Sequence, residues 1–165
     1  MKRLLDLYCR ALKWIAVLLL FIMVLLVFGN VVLRYAFNSG ITVAEELSRW
    51  LFMWLTFLGS IYALREHQHL GTDTLISRLP PRGRQLCLIV ANLFMLWVCW
   101  LIFSGALAQT RLNWNVTAPS SGFSLGWFYS AGIVFAVSAA VILIEQIIWL
   151  VRGNIPRSAT AEEQA

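Results

Sequence analysis

Residues Trp14–Leu33 read WIAVLLLFIMVLLVFGNVVL, twenty residues without a charge. At about 1.5 Å per helical residue this stretch reaches about 30 Å, the thickness of a bilayer's hydrocarbon core. Lys2, Arg3, Arg10 and Lys13 precede it, as in a secretory leader. The run is nevertheless longer than a leader's apolar segment of about 7–15 residues, and no small-x-small pattern follows Asn30 or Leu33. A retained membrane anchor is therefore expected.

Three more such stretches follow: Leu47–Leu64, Leu86–Ala108 and Leu125–Val151, of 18, 23 and 27 residues. The expectation is an all-α integral membrane protein, a single four-helix domain over residues 1–165. Its spans should lie at about 14–33, 47–64, 86–108 and 125–151, with short interfacial amphipathic helices beside them. Composition points the same way, because 60% of the 165 residues are apolar and 13% are charged. That charged fraction is half the globular norm of about 25%, too little to cover a soluble core with polar surface. A soluble domain, a disordered tail and a disulfide scaffold are excluded.

The net charge of +5 does not form one basic stripe with interleaved aromatics, so nucleic acid is not an expected partner. The basic residues sort by loop. Ten flank the two termini and the second connection (Lys2, Arg3, Arg10, Lys13, Arg65, Arg78, Arg82, Arg84, Arg152, Arg157), against three (Arg34, Arg49, Arg111) on the other side. By the positive-inside rule both termini are cytoplasmic. Cys9, Cys87 and Cys99 are far apart and form no CxxC, which supports structural thiols rather than a redox or thiolate metal site.

The connections carry local signals. Met1–Lys13 places Leu4, Leu5, Tyr8, Ala11 and Leu12 on one face, as in a helix lying on the inner surface. Asn38-Ser39-Gly40 forms a turn signal, after which Thr42 with Glu45 three residues later reads as a capping box. Leu75, Ile76 and Leu79 suit one short amphipathic turn before Pro80-Pro81. Gln109–Ser124 reads as a polar loop. Trp14, Trp50, Trp114, Trp127 and Trp149 fall near span ends, where an aromatic belt belongs, and Trp54, Trp97 and Trp100 lie deeper.

The main polar constellation is Glu45, Glu46 and Arg49 beside Trp50 and Trp54. Glu45 and Arg49 stand at i and i+4 in the favourable order. In lipid surroundings the group reads as a network that docks a partner or fixes the helix at the interface. Glu145 is the carboxylate set well inside a predicted span. It suits either a proton or ion site, or a structural pair with an Arg of the cytoplasmic loop beside Gln146, and the structural reading is preferred. His67, His69 and Asp73 belong to a loop and cannot supply axial haem ligands inside the bundle. They are read as solvated rather than as a metal site. Asn115-Val116-Thr117 matches a glycosylation sequon and is read as plain loop. No phosphate-binding Gly loop, Ser/His/Asp set or HExxH occurs, so neither an enzyme nor a cofactor is expected. The two halves show no repeat of the kind that secondary transporters carry.

Asn30–Asn38 (NVVLRYAFN), Glu45-Glu46-Leu47-Ser48-Arg49-Trp50 and Leu51–Arg65 (LFMWLTFLGSIYALR) together resemble the small permease subunit, DctQ-like, of tripartite ATP-independent periplasmic (TRAP) transporters. His69-Leu70, Asp73 and Gly126-Trp127 fit the segments that follow. Two departures bear on loop shape: His67-Gln68 where relatives often have Gly-Gly before the His, and Ser124 where a Pro commonly precedes the fourth span.

The resemblance implies a division of labour. A periplasmic binding protein captures an organic anion, a large membrane subunit moves it by an elevator-like motion driven by an ion gradient, and the small subunit supports the large one. Arg34, Glu45, Glu46 and Arg49 match the family's motif, which implies assembly or anchoring rather than substrate binding. The expected partners are the large subunit, the periplasmic solute-binding protein and the lipid bilayer, in a bacterial inner membrane. The alternative from another class is a self-contained small proton-coupled antiporter using Glu145. A respiratory membrane anchor is disfavoured by the lack of intramembrane His.

Overall fold

A computed structural model describes residues 2–66 and 81–152. They form four helices: α1 (Lys2–Phe37), α2 (Thr42–Glu66), α3 (Pro81–Leu112) and α4 (Leu125–Val151). All four are long and apolar enough to cross a membrane. Each expected span lies inside one helix, and α4 coincides with its expected bounds. The other helices overrun theirs. α1 has 36 residues, about 54 Å of helix, so the amphipathic N-terminal segment is continuous with the first span rather than a separate surface helix. The expected turn at Leu75–Leu79, with His67, His69 and Asp73, lies outside the described residues.

The helices pack in the order α1, α2, α4, α3, so that α1 and α3 are outermost. Burial follows this order. A third of the apolar window of α4 is buried (33%), against 6% in α1 and in α3. The buried face of α4 carries small residues, Gly126, Ala131, Gly132, Ala136, Ser138 and Ala139, which let neighbouring backbones approach in an environment where lipid tails are as apolar as the side chains. At Gly132 an added Cβ would stand 3.0 Å from the Cβ of Ala106 on α3.

Two small cores result. Cys9, Leu12, Leu58, Ile61 and Ile142 join α1, α2 and α4, while Cys99, Ala139 and Leu143 join α3 to α4. Leu64 and Phe135 pack against both. All three cysteines are free, with Cys9 and Cys99 buried as core residues and Cys87 exposed. The outward faces of α1 and α3 remain apolar and uncovered, including Leu18, Phe21, Leu25, Phe28, Trp97 and Trp100.

The connection from α1 to α2 is tight. Asn38 adopts φ 49°, a left-handed conformation that Asn tolerates better than most residues, and Ser39 N–H donates back to the Leu33 carbonyl at 3.2 Å. The α3–α4 connection is built rather than merely polar. Ala118 N–H donates to Phe123 O and Leu125 N–H to Val116 O, both at 2.8 Å, with Thr117 and Ser124 paired as an isolated antiparallel bridge. Gly122 takes φ 73° at the turn of this small hairpin.

Candidate functional site

Among the described residues the charged side chains collect at the two ends of the bundle, where charge can meet water or headgroups. At the end formed by the α1–α2 and α3–α4 connections, Asn30 organises the first contact. Its Oδ1 accepts from Ile41 N–H at 2.8 Å, and its Nδ2 donates to Glu45 Oε1 at 3.3 Å. Arg34, one turn further along α1, stands 3.7 Å from the same carboxylate oxygen. Glu45 therefore turns to α1. The expected capping box with Thr42 and the expected i, i+4 pair with Arg49 give way to this contact, because Asn30 and Arg34 project from the adjacent helix at the level of the first turn of α2.

Glu46 points the other way. Its carboxylate accepts from Ser120 N–H at 2.9 Å and from the Ser121 hydroxyl. One acidic pair in α2 thus holds the α1 side with Glu45 and the α3–α4 hairpin with Glu46. Trp50, a turn deeper, packs tilted against Phe123 of the hairpin (centroids 6.4 Å) and Phe128 of α4 (6.1 Å). Trp54 packs on the core that joins α1, α2 and α4. Arg49 is exposed and has no ion-pair partner among the described residues.

The start of α4 is fixed from below the hairpin. Ser124 caps the helix, accepting from Gly126 N–H at 3.1 Å, and donates to the Trp114 carbonyl. Gly126 is required there, since an added Cβ would stand 2.7 Å from the Trp114 ring and 3.2 Å from its Cα.

At the opposite end, where α1 begins and α4 ends, Arg65 of α2 bridges two acids. It donates to Glu145 Oε2 of α4 at 2.7 Å and to Asp6 Oδ1 of α1 at 2.9 Å. The Arg65 and Glu145 side chains are only 18% and 12% exposed. The inward carboxylate is thus held by a guanidinium, with Tyr8 and Ser138 hydrogen-bonded at 2.8 Å between α1 and α4. Lys13 reaches the Tyr62 hydroxyl at 3.4 Å.

Of the six residues singled out from sequence, the structure brings Arg34, Glu45, Glu46, Trp50 and Trp54 into contacts within the chain and leaves Arg49 facing outward. Sequence reasoning gave no separate role to Asn30, Ser120, Ser121 or Asp6. Asn30 and Arg34 at i and i+4 on an otherwise apolar helix were a usable signal, whereas nothing local to Ser120 or Asp6 announces a partner on another helix. Among the described residues no three His, Cys, Asp or Glu side chains are grouped to hold a metal ion.

Comparison with known proteins identifies the family of the chain. Residues 23–153 match the family described as tripartite ATP-independent periplasmic transporters, DctQ component. A putative TRAP transporter small permease protein of Haemophilus influenzae is 41% identical over 150 residues, spanning 88% of this chain and 93% of the relative. A second from the same organism is 38% identical, covering 84% of each chain. The C4-dicarboxylate TRAP transporter small permease protein DctQ of Vibrio cholerae is 37% identical over 59% of this chain and 39% of its own length.

Proposed function

Since the chain belongs to the DctQ family of small TRAP permease components, a multi-pass class of the bacterial inner membrane, we propose that it is the non-catalytic support of a large permease subunit. The system takes up an organic anion, a carboxylate by analogy with the C4-dicarboxylate relative, and couples uptake to an ion gradient. A periplasmic solute-binding protein delivers the anion to the large subunit. Both termini face the cytoplasm, as the sorting of basic residues directs.

The observation that carries the reading is the double use of Glu45 and Glu46. A transport domain that moves needs a partner that does not, and these adjacent carboxylates tie α2 to both of its flanks at one membrane face. Arg34, Glu45, Glu46, Arg49, Trp50 and Trp54 form the anchoring region. The five that make contacts within the chain, Arg34, Glu45, Glu46, Trp50 and Trp54, hold the support rigid, and the Arg49 edge meets what lies outside it. Glu145, already engaged by Arg65, serves as an interhelical tie rather than a proton carrier.

The test is co-purification. Glu45→Ala with Arg49→Ala is expected to weaken recovery of the large subunit while leaving solute binding by the periplasmic receptor unchanged. Intact recovery together with intact uptake would overturn the anchoring role.

A further inference from the structure

Arg34 and Arg49 line one open cleft of about 270 Å³ between α1 and α2, together with Val27, Asn30, Val31 and Glu45. Arg34 lies one turn from the end of α1, and Arg49 about two turns into α2 from the same membrane face. Glu45 is the carboxylate in the cleft, and it already receives Asn30 and stands 3.7 Å from Arg34. Two guanidinium charges against one carboxylate leave the cleft with a net charge of +1. A guanidinium at that depth without an anion sits poorly beside hydrocarbon, and its planar donors match phosphate oxygens.

The wall below the cleft narrows the anion's identity. Leu20, Val24, Val27 and Val31 are all exposed and stand at i, i+4, i+7 and i+11, one continuous stripe descending from the cleft into the span. Its length is about 16 Å, close to half of a hydrocarbon core of about 30 Å, or one leaflet. We propose that this cleft binds one glycerophospholipid, with the phosphodiester between Arg34 and Arg49 and an acyl chain lying along the Leu20–Val31 stripe. The monoanionic phosphate balances the net charge of the cleft, and the stripe gives the chain a surface of matching length. The site itself needs only a membrane-inserted chain; it rests on the transporter reading in one respect, the arm of the experiment that adds the large subunit.

Native mass spectrometry of the full chain, purified in detergent and titrated with lipids, tests the site. Phosphatidylglycerol or phosphatidylethanolamine should add as a single adduct, while diacylglycerol with the same chains should not. Arg34→Gln with Arg49→Gln should weaken the adduct by at least about tenfold, with helicity unchanged by circular dichroism. Glu45→Gln, which raises the net charge of the cleft, should bind phosphatidylglycerol at least as well as the parent. Equal binding of diacylglycerol would show a merely apolar groove. Displacement by inorganic phosphate alone would show a free-anion site, and loss of the lipid when the large subunit joins would show that a partner's carboxylate is the true counter-ion. Each of these three results overturns the proposal.

Discussion

Gly126 shows how much a single atom matters in this bundle. A Cβ there would collide with the Trp114 ring at 2.7 Å and with that residue's backbone at 3.2 Å, so the hairpin and not just a rotamer would have to move. Gly126→Ala is expected to lower stability by about 1–3 kcal/mol, read as an earlier melt in detergent. Gly59, with open space around the position of a Cβ, makes the control, and Gly59→Ala should be tolerated there. Arg65 gives the electrostatic counterpart. Its guanidinium serves Asp6 and Glu145 together, so Arg65→Met would deprive both carboxylates of the cation they share. A loss of about 1–3 kcal/mol is expected. Glu145→Gln keeps an acceptor for Arg65 and should cost less in the same melt. Proton-coupled efflux by this chain alone in vesicles, abolished by Glu145→Gln, would instead revive the antiporter reading.

Between elements, the α3–α4 hairpin depends on a contact 74 positions away in sequence, where Glu46 accepts from Ser120 N–H. Its own bonds are few: two cross-strand backbone pairs, the Gly122 turn and the Ser124 cap. Glu46→Gln combined with Ser121→Ala should therefore speed hydrogen–deuterium exchange of amides 116–125 by roughly tenfold, the loss of one charge-assisted hydrogen bond, without altering exchange in the middle of α4. Unchanged exchange in the hairpin would mean that Trp50 packing on Phe123 and Phe128 suffices to hold it. α2 is the least apolar of the four helices, with a mean hydropathy of 1.2 against 3.0 for α1, and its Glu45, Glu46 and Arg65 all engage neighbouring elements.

For the whole molecule, the linear order α1, α2, α4, α3 leaves two broad apolar faces and little enclosed core. Such a plate is stable where lipid or a second subunit covers both faces. The proposed orientation, with both termini in the cytoplasm, rests on ten basic residues assigned to that side against three on the other. Asn115→Cys, placed in the hairpin of a variant lacking the three native cysteines, should react with a membrane-impermeant maleimide in intact cells. Labelling only after lysis would reverse the assigned orientation.

Four helices long and apolar enough to cross a membrane, and the charge asymmetry, are legible in the sequence because lipid imposes a rule that acts locally: enough consecutive apolar residues to cross, with charges kept to the ends. The family, too, could be recognised from the block around Asn30–Arg65, which residues 23–153 then confirmed as a whole. Tertiary structure alone decided the pairing of the charges. Glu45 and Arg49 sit at ideal helical spacing, yet Glu45 turned to Asn30 and Arg34 and Glu46 to Ser120 and Ser121, whereas for Glu145 an arginine partner was expected and the structure only picked Arg65. An i, i+4 pair is worth only about 0.3–0.5 kcal/mol, so a polar group presented by a neighbouring helix in a low-dielectric setting readily outcompetes it. Which neighbour is present depends on helix order, and nothing in the separate spans encodes that order.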